Sequence, residues 1–559
     1  MLAALMRAPP FRTPRAALLG LLALAGLAAA PAFAAPLLES AASRAEQVEH
    51  AIGLLRIAIG LAALLLWAGR FGAPRAGRPA PSARAAETRR LALGALAALA
   101  FASNFNFFVW TGFHTHELYH YYLGSKYFPE LGYFRLYECS AEALWPDGRA
   151  LPAAVHEITD LRSKRRRPAA EVLAAAPRCR DEFAPARWAA FQHDVGVFRR
   201  LMGDEGLASA LTDHGYNPSP VWTLIGRPLA SLVPAGAPGL WLLARIDLWL
   251  LVALFSAIGW AFGFEALCLA AIAWGACGHT RYQWTGDAFL RQVWMAASLS
   301  AICLVRKGRD AAAGALLALA SLERVFPVLL FTGYALEALR RLLRERRLEK
   351  RFVRFALAAG VASLLLVGAG TAVAGRGVGV WREFAANLAA MTAFTPRNGL
   401  GLEYLLSFTK TPPGGVVVPE DPEALESVIQ DTKHATLASR RWLYYGALAG
   451  FGLLFLRAAL LDPGRLQSWE AIAMGAFLIP VLTMPASYYF GFALAAAPLA
   501  TRRPRIGSAL LVAVVGSSLG IAGWHTGATA FAVSSFALLV CCAWALLELQ
   551  LPVRAEAAG

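Results

Sequence analysis

Charged side chains are scarce in this sequence. Of its 559 residues only 16% are Asp, Glu, Lys or Arg, whereas 57% are hydrophobic, and the mean hydropathy is +0.49. Soluble globular domains carry about 25% charged residues, so this composition excludes an ordinary soluble domain. The chain also lacks an internal repeat at a fixed period. We therefore predict an all-α polytopic membrane protein.

Long apolar runs account for most of the chain. A spanning helix needs about 20 apolar residues, and about 14 runs are candidates, which predicts 12–14 transmembrane helices. The runs lie at 16–34, 50–68, 91–110, 240–258, 260–277, 289–305, 311–322, 325–340, 353–373, 442–460, 469–484, 487–500, 506–524 and 528–549. The run at 311–322 is too short to span alone, and we expect it to be half-inserted or broken.

Acidic residues are fewer than basic ones, with 37 Asp and Glu against 53 Lys and Arg, and the net charge is +16. In a soluble protein this excess would suggest a nucleic-acid partner. Here the positive charge is explained by short loops that the positive-inside rule places in the cytoplasm, so we expect no nucleic acid. These loops lie at 70–90, 306–309, 340–351 and 501–505.

This placement predicts the remaining topology. Both termini are cytoplasmic, and the large loops at 111–239 and 374–441 lie on the non-cytoplasmic side, together with 278–288 and the turn at 322–325. We divide the chain into residues 1–90, which hold the N-terminal helices and a basic loop, and a membrane domain at 91–559. Residues 1–34 fit a cleaved signal peptide and a retained helix equally well, because three arginines precede an apolar run that ends in Ala32-Phe33-Ala34.

Cysteine is also infrequent, with seven residues in the chain. Five of them lie in apolar runs, where cysteine usually acts as a small hydrophobic residue. Cys139 and Cys179 both fall in the first outer loop. In an oxidising envelope compartment they either form a disulfide or remain as two thiols.

The chemically richest stretch directly follows the run at 91–110. Residues 113–124 contain three histidines, one carboxylate and three tyrosines. Within them His116-Glu117-Leu118-Tyr119-His120 matches H-E-x-x-H, which on a helix places two imidazoles one turn apart for zinc, with the glutamate as the general base of a peptidase. The third ligand is not identified by any further motif, and the available side chains are Glu138, Glu142 and His156.

A second set of motifs extends over residues 91–500. Glu117 is followed by Tyr121, Gly124, Gly132 and Leu136-Tyr137, and the loop closes with Tyr216-Asn217-Pro218-Ser219-Pro220 and Pro228-Leu229. Further elements are Gly278-His279, the run from Gly314 to Ala320, and Glu323-Arg324-Val325-Phe326-Pro327. In this order they resemble the GT-C glycosyltransferases, most closely the family-87 polyprenyl-phosphate-mannose-dependent mannosyltransferases. Glu117 stands where that family usually has aspartate, and Arg324 where it usually has lysine.

This resemblance implies a GT-C-like membrane domain at 91–559 that moves a hexose, most typically mannose. The donor is a polyprenyl-phosphate-linked sugar, and the acceptor is a glycan or glycolipid of the envelope. We expect a multi-pass protein of the bacterial inner membrane, embedded among membrane lipids, whose active face lies outside the cytoplasm.

The chemistry of such a transfer is clear without the family. A carboxylate must take the proton of the acceptor hydroxyl, and cations must stabilise the departing phosphate. We assign Glu117 as the catalytic base, and the predicted substrate-binding residues are His116, His120, Tyr121, Arg281, Asp287, Arg324 and Arg397. No cofactor is expected, zinc on His116 and His120 being the alternative.

Other interpretations of these residues stay open at this point. Glu117 fits a surface carboxylate at a helix start, Arg324 a side chain that reaches the membrane interface, and Asp287 a helix cap. A lipid or small-molecule transporter would share the apolar helices and basic loops. It would not need a large outer loop rich in aromatic and acidic residues.

Overall fold

The computed structural model describes residues 41–69, 82–108, 112–146, 151–175, 178–393, 395–409, 422–460, 465–524 and 527–553. Helices make up 79% of the structure. Within the described ranges the only strands are β1 (Glu157–Asp160) and β2 (Arg165–Pro168), which pair as an antiparallel hairpin. The run at 16–34 lies outside the described residues, as do positions 70–81 of the first basic loop. The chain is thus an all-α membrane protein in its coarse class.

The helices of the first half alternate between long apolar rods and the short pieces of the first outer loop. Their bounds are α1 Ala41–Ala68, α2 Ala83–Asn104, α3 Thr115–Leu118, α4 Gly124–Lys126, α5 Phe128–Leu131, α6 Leu136–Leu144, α7 Ala169–Ala175, α8 Pro185–Leu211, α9 Pro220–Leu232, α10 Ala237–Phe262, α11 Phe264–Ala276 and α12 Tyr282–Thr285. A π-helical turn, Tyr119–Leu123, joins α3 to α4.

The second half continues in the same way. Its helices are α13 Val293–Arg306, α14 Asp310–Glu323, α15 Leu329–Glu345, α16 Lys350–Ala374, α17 Val380–Thr392, α18 Leu402–Ser407, α19 Pro422–Ser439, α20 Arg441–Leu460, α21 Ser468–Gly475, α22 Ile479–Leu482, α23 Ala496–Leu499, α24 Pro504–Trp524 and α25 Ala528–Leu549. Short 3₁₀ turns cover Asn106–Phe108, Cys179–Glu182, Gly278–Thr280, Phe326–Val328, Gly377–Gly379 and Ala476–Leu478, and a longer one covers Ser487–Ala495.

Six described helices are long and apolar enough to cross a membrane. They are Gln47–Ala68, Ala237–Phe262, Lys350–Ala374, Arg441–Leu460, Pro504–Gly523 and Ala528–Leu549, and three shorter apolar helices accompany them. The count of 12–14 spans stays a prediction. Helix α16 leaves Leu364 and Leu365 exposed at 77% and 67%, as expected for side chains that face lipid rather than protein.

Two of the predicted runs have a different form in the structure. The run at 487–500 is a 3₁₀ helix, Ser487–Ala495, followed by the short α23. The run at 311–322 is the unbroken 14-residue helix α14, which at about 1.5 Å per residue is still too short to cross a bilayer alone. Short and irregular backbone at membrane depth is tolerated where protein surrounds it, and almost all of Ser487–Leu499 is buried.

The described residues between 112 and 243 form an outer unit with a hydrophobic core of their own. Its core contains apolar side chains from α3 through the start of α10, with six almost fully buried tyrosines: Tyr119, Tyr122, Tyr127, Tyr133, Tyr137 and Tyr216. Several of their hydroxyls reach a partner, as buried tyrosines require. The same core takes in Phe289, Leu290 and Val293 at the start of α13. The outer unit is therefore packed directly onto the membrane helices.

Three of the predicted cytoplasmic loops converge on one place, the start of α21. Arg306 donates a hydrogen bond to Gln467 at 3.4 Å, and Arg502 pairs with the buried Glu470. Ser468 donates to Glu337, which lies in α15 just before the 340–351 loop, at 2.9 Å. Helix α13 leads from this basic end to the outer unit over 14 residues, or about 21 Å. These three basic loops thus share one end of the bundle.

We predict that this basic end faces the cytoplasm and the outer unit does not. Single cysteines in place of exposed residues, Arg166→Cys in the first large loop and Thr392→Cys in the second, should react with a membrane-impermeant maleimide in intact cells. Arg347→Cys at the basic end should react only after the membrane is permeabilised, because charged loops of this kind are retained inside. Labelling of Arg347→Cys in intact cells would contradict the topology.

The first outer loop is crosslinked within itself. Cys139 in α6 and Cys179 are joined in a disulfide, 40 residues apart in sequence, and Cys179 N–H donates to Glu142 at 2.7 Å. A crosslink of this loop length limits the unfolded chain and stabilises the fold by about 2–5 kcal/mol.

We expect Cys139→Ser to lower the thermal unfolding temperature of the purified protein, because the unfolded chain regains its freedom. Cys303→Ser, a change at a buried free thiol in α13, is the matched control and should have the smaller effect. Dithiothreitol should lower the unfolding temperature of the natural protein and leave that of Cys139→Ser unchanged. Equal thermal unfolding curves for the natural protein and Cys139→Ser would show that the disulfide does not contribute to stability.

Candidate functional site

The site begins at the first turn of the outer unit, in helix α3. His114 caps α3, its Nδ1 accepting the backbone N–H of Glu117 at 3.2 Å. The N–H of His114 donates to the carbonyl oxygen of Asp287 at 2.8 Å. This turn is followed by the π-helical turn Tyr119–Leu123, a rare conformation that occurs frequently at functional sites. The backbone holding Glu117 is thus fixed at both ends.

Glu117 forms an ion pair with Arg291, which precedes α13. The distance from Arg291 Nη1 to Glu117 Oε1 is 2.7 Å, and the two side chains are 9% and 20% exposed. Burial alone would raise the pKa of Glu117, but the Arg291 guanidinium, with smaller contributions from His114 and His120, outweighs burial and holds that pKa below its ordinary value. Glu117 is therefore ionised at neutral pH and able to accept a proton.

Tyrosines surround both Arg291 and a second cation, Arg324. The Arg291 guanidinium lies 4.3 Å from the ring centre of Tyr488, and Arg324 Nη2 donates to the Tyr121 hydroxyl at 3.3 Å. Both guanidiniums interact electrostatically with Tyr121, Tyr488 and Tyr489. The two arginines therefore share one aromatic cluster, and Glu117 lies beside it.

Arg324 has an acidic neighbour of its own. Its Nε lies 3.6 Å from Glu323 Oε1, and the Glu323 side chain is fully buried. Arg324 itself is 11% exposed, so its guanidinium is not simply extended into the membrane interface. The predicted pair Glu117 and Arg324 is brought into one neighbourhood, whereas the direct partner of Glu117, Arg291, was not identified from sequence.

A buried carboxylate in the membrane supports Arg291. Asp247, fully buried in α10, accepts the backbone N–H of Gln292 at 3.0 Å, and its carboxylate also accepts the backbone N–H of Arg291. These bonds fix the start of α13 and thus the direction of the Arg291 side chain. Both Asp247 and Arg291 lie inside apolar runs of the sequence, and an ionisable residue in such a run is by itself a functional signal. This signal could have identified Asp247 and Arg291 from the sequence.

The two histidines of the H-E-x-x-H motif form a separate cluster with Asp213, which follows α8. His116 Nε2 lies 3.1 Å from Asp213 Oδ2, and His120 Nε2 lies 2.7 Å from the Tyr137 hydroxyl. Burial would lower the pKa of His116, but the hydrogen bond and charge of Asp213, with the charge of Glu117, together raise it above the ordinary value. Ligand atoms of His116, His120 and Asp213 all lie within 4.8 Å of one another.

The third-ligand candidates from sequence have other partners or positions. Glu138 is paired with Arg135 at 2.6 Å, Glu142 accepts the N–H of Cys179, and His156 is exposed. Among the described residues it is Asp213 that completes a three-residue group with His116 and His120. Sequence reasoning missed it because 93 residues separate it from His120.

The remaining predicted substrate-binding residues have structural partners. Arg281 lies 3.6 Å from Glu49 in α1, and Asp287 is bound by Arg245 at 2.9 Å. Arg397 is exposed, and its carbonyl oxygen accepts the Tyr404 hydroxyl at 3.0 Å. Asp287 also fixes the turn at His114, so it borders the site. We assign no role in the site to Arg281 or Arg397.

Comparison with known proteins adds no relative to this picture. No protein family model, no curated protein and no solved structure matches the chain. The resemblance to the family-87 mannosyltransferases therefore stays a prediction from the motifs, and function has to be inferred from the chemistry of the site.

Proposed function

We propose that this protein is a membrane glycosyltransferase that moves a hexose from a polyprenyl-phosphate donor to an envelope acceptor. The motifs indicate that the hexose is mannose. The observation that carries the proposal is one ionised carboxylate, Glu117, in direct contact with Arg291 and in the same aromatic cluster as Arg324. The cluster lies where the outer unit meets the membrane helices. A donor with a lipid tail and a polar head has to reach such a boundary.

In the proposed reaction the acceptor hydroxyl oxygen attacks the anomeric carbon of the donor sugar. Glu117 takes the hydroxyl proton, and the bond between the anomeric carbon and the phosphate oxygen breaks, its electron pair leaving with the polyprenyl phosphate. Arg324 and Arg291 stabilise the negative charge that collects on that phosphate, because guanidiniums bind phosphate oxygens through paired N–H donors. All atoms and charges are accounted for without a cofactor.

The contact between Glu117 and Arg291 makes the basicity of Glu117 depend on whether the donor is bound. With Arg291 at 2.7 Å the carboxylate is a weak base. A donor phosphate beside Arg291 adds negative charge that offsets the guanidinium, which raises the pKa of Glu117 and makes it a better proton acceptor. The base is thus strengthened when the donor is bound.

A zinc peptidase is the less well supported alternative. In that mechanism the glutamate of H-E-x-x-H activates a metal-bound water, but the Glu117 carboxylate is held by Arg291, and the group formed by the two histidines includes Asp213 instead. A transporter needs neither an ionised carboxylate beside arginines nor an outer unit with its own core. We place the transferase in the bacterial inner membrane with its active face outside the cytoplasm.

We expect Glu117→Gln to lower transfer about 100-fold or more, because glutamine keeps the shape and a hydrogen bond but accepts no proton. The measurement is transfer of labelled mannose from polyprenyl-phosphate mannose to acceptors in membrane vesicles. Glu130→Gln is the matched control, since it removes another arginine-paired carboxylate of the outer unit, bound by Arg187 at 2.8 Å. A monodisperse Glu117→Gln protein that retains transfer within a few-fold of the natural protein would overturn the mechanism.

The pH dependence should identify the base. Transfer is lost as pH falls through the pKa of Glu117, and Arg291, together with His114 and His120, holds that pKa below its ordinary value, so the acid limb of kcat/KM should lie at lower pH than for an ordinary glutamate. Arg291→Gln should move the limb to higher pH, because the carboxylate then keeps its burial and loses its cation. Arg324→Gln should lower turnover and leave the limb in place. An acid limb that Arg291→Gln does not move would exclude Glu117 as the titrating base.

A further inference from the structure

We propose that His116, His120 and Asp213 form a binding site for one divalent transition-metal ion, with Zn²⁺ the best match, which ties the turn of Glu117 to the end of α8. This site is separate from the transfer chemistry and does not rest on the proposed function. It is a structural use of the H-E-x-x-H spacing in which the glutamate takes no part.

The three ligands are of the kind and number that zinc prefers. Imidazole is a borderline-soft ligand and carboxylate a hard one, and two imidazoles with one carboxylate occur together in zinc sites. Their ligand atoms already lie within 4.8 Å of one another. Metal bonds of about 2.0–2.2 Å place neighbouring ligand atoms about 3.3–3.6 Å apart in a tetrahedron, so small side-chain rotations suffice to close the site.

The tautomer of His120 is already suited to a metal. Its Nδ1 is 2.8 Å from the carbonyl oxygen of His116, an acceptor only, so Nδ1 carries the hydrogen and donates it. In the neutral ring the lone pair is left on Nε2, which accepts the hydrogen of the Tyr137 hydroxyl at 2.7 Å and lies at the longer distance of 3.2 Å from the carbonyl oxygen of Ala210. A ring N–H bound to a backbone carbonyl is the usual outer support of a metal-binding histidine. A bound ion would take the place of the Tyr137 hydrogen on Nε2.

His116 and Asp213 leave the ion a path to the site. Their side chains are 29% and 40% exposed, while His120 is buried. The distance of 3.1 Å between His116 Nε2 and Asp213 Oδ2 is now bridged by a hydrogen, which the metal would replace. Water can fill the fourth position from the exposed side. The site therefore combines one buried ligand, His120, with a side that is open to solvent.

The position of this site explains what it would do. His116 precedes Glu117 and His120 lies in the π-helical turn, whereas Asp213 comes from the segment after α8. An ion shared by these elements would hold the backbone that carries Glu117. Metal bound in this way stabilises the fold, because the unfolded chain does not present the three ligands together.

The test uses the full-length protein in detergent, purified without a histidine tag. After chelation and dialysis it is loaded with Zn²⁺ or Co²⁺, and metal content and the visible Co²⁺ spectrum are measured. We expect one equivalent per chain and a Co²⁺ spectrum of a nitrogen and oxygen site. Loss of a residue that only supports a metal ligand weakens binding about 10–100-fold. His116→Asn and Asp213→Asn remove a ligand itself and should weaken binding by more than this. His156→Asn, at an exposed histidine of the same unit, should bind as the natural protein does.

Unfolding curves keep the test decisive if a variant is unstable. Zn²⁺ should raise the unfolding temperature of the natural protein and of His156→Asn, and should not raise that of His116→Asn. Less than one equivalent in the loaded natural protein, or full binding by Asp213→Asn, would overturn the site. Glu117→Gln should keep its metal, so that a failure of the transfer mechanism and a failure of the metal site are observed separately.

Discussion

The ion pair between Glu117 and Arg291 is the interaction on which the rest of the site depends. One partner belongs to the outer unit and the other to the entrance of a membrane helix, and both are largely withdrawn from water. Removing one charge of such a pair leaves the other buried without a partner, which typically costs about 3–5 kcal/mol. The ion pair therefore favours this placement of the outer unit on the membrane helices, and the backbone bond from His114 to Asp287 holds the same junction.

Charge burial occurs at both ends of the bundle, but with different surroundings. At the basic end Glu470 pairs with Arg502 and Arg503, and Glu337 pairs with Arg341. These carboxylates therefore have a structural role in holding the loops. At the outer end two arginines share three tyrosines that are only partly buried, and Glu117 keeps 20% exposure. Buried charge alone is not diagnostic of a site. A carboxylate that is ionised, cation-bound and still reachable is what distinguishes the outer end.

The H-E-x-x-H motif contains two arrangements that sequence cannot separate. Its spacing does bring the imidazoles of His116 and His120 together, with ring centres 5.0 Å apart. The glutamate between them is turned toward Arg291, because the cation attracts it. The same five residues thus supply a proton acceptor to one neighbourhood and metal ligands to another. These roles are compatible, since the ion would be bound by His116, His120 and Asp213 and not by Glu117.

The sequence by itself determined the membrane class, the principal helices and the position of Glu117. Hydropathy is a local property, and the helix Ala528–Leu549 matches the apolar run at 528–549 at both ends. Tertiary structure alone decided which cation meets Glu117 and which carboxylate meets the histidines. Arg291 is 174 residues from Glu117, and Asp213 is 93 residues from His120, so no local spacing relates them. Their contacts exist because the outer unit packs onto α13 and because α8 returns to its first turn, and both follow from burial of apolar surface summed over many residues.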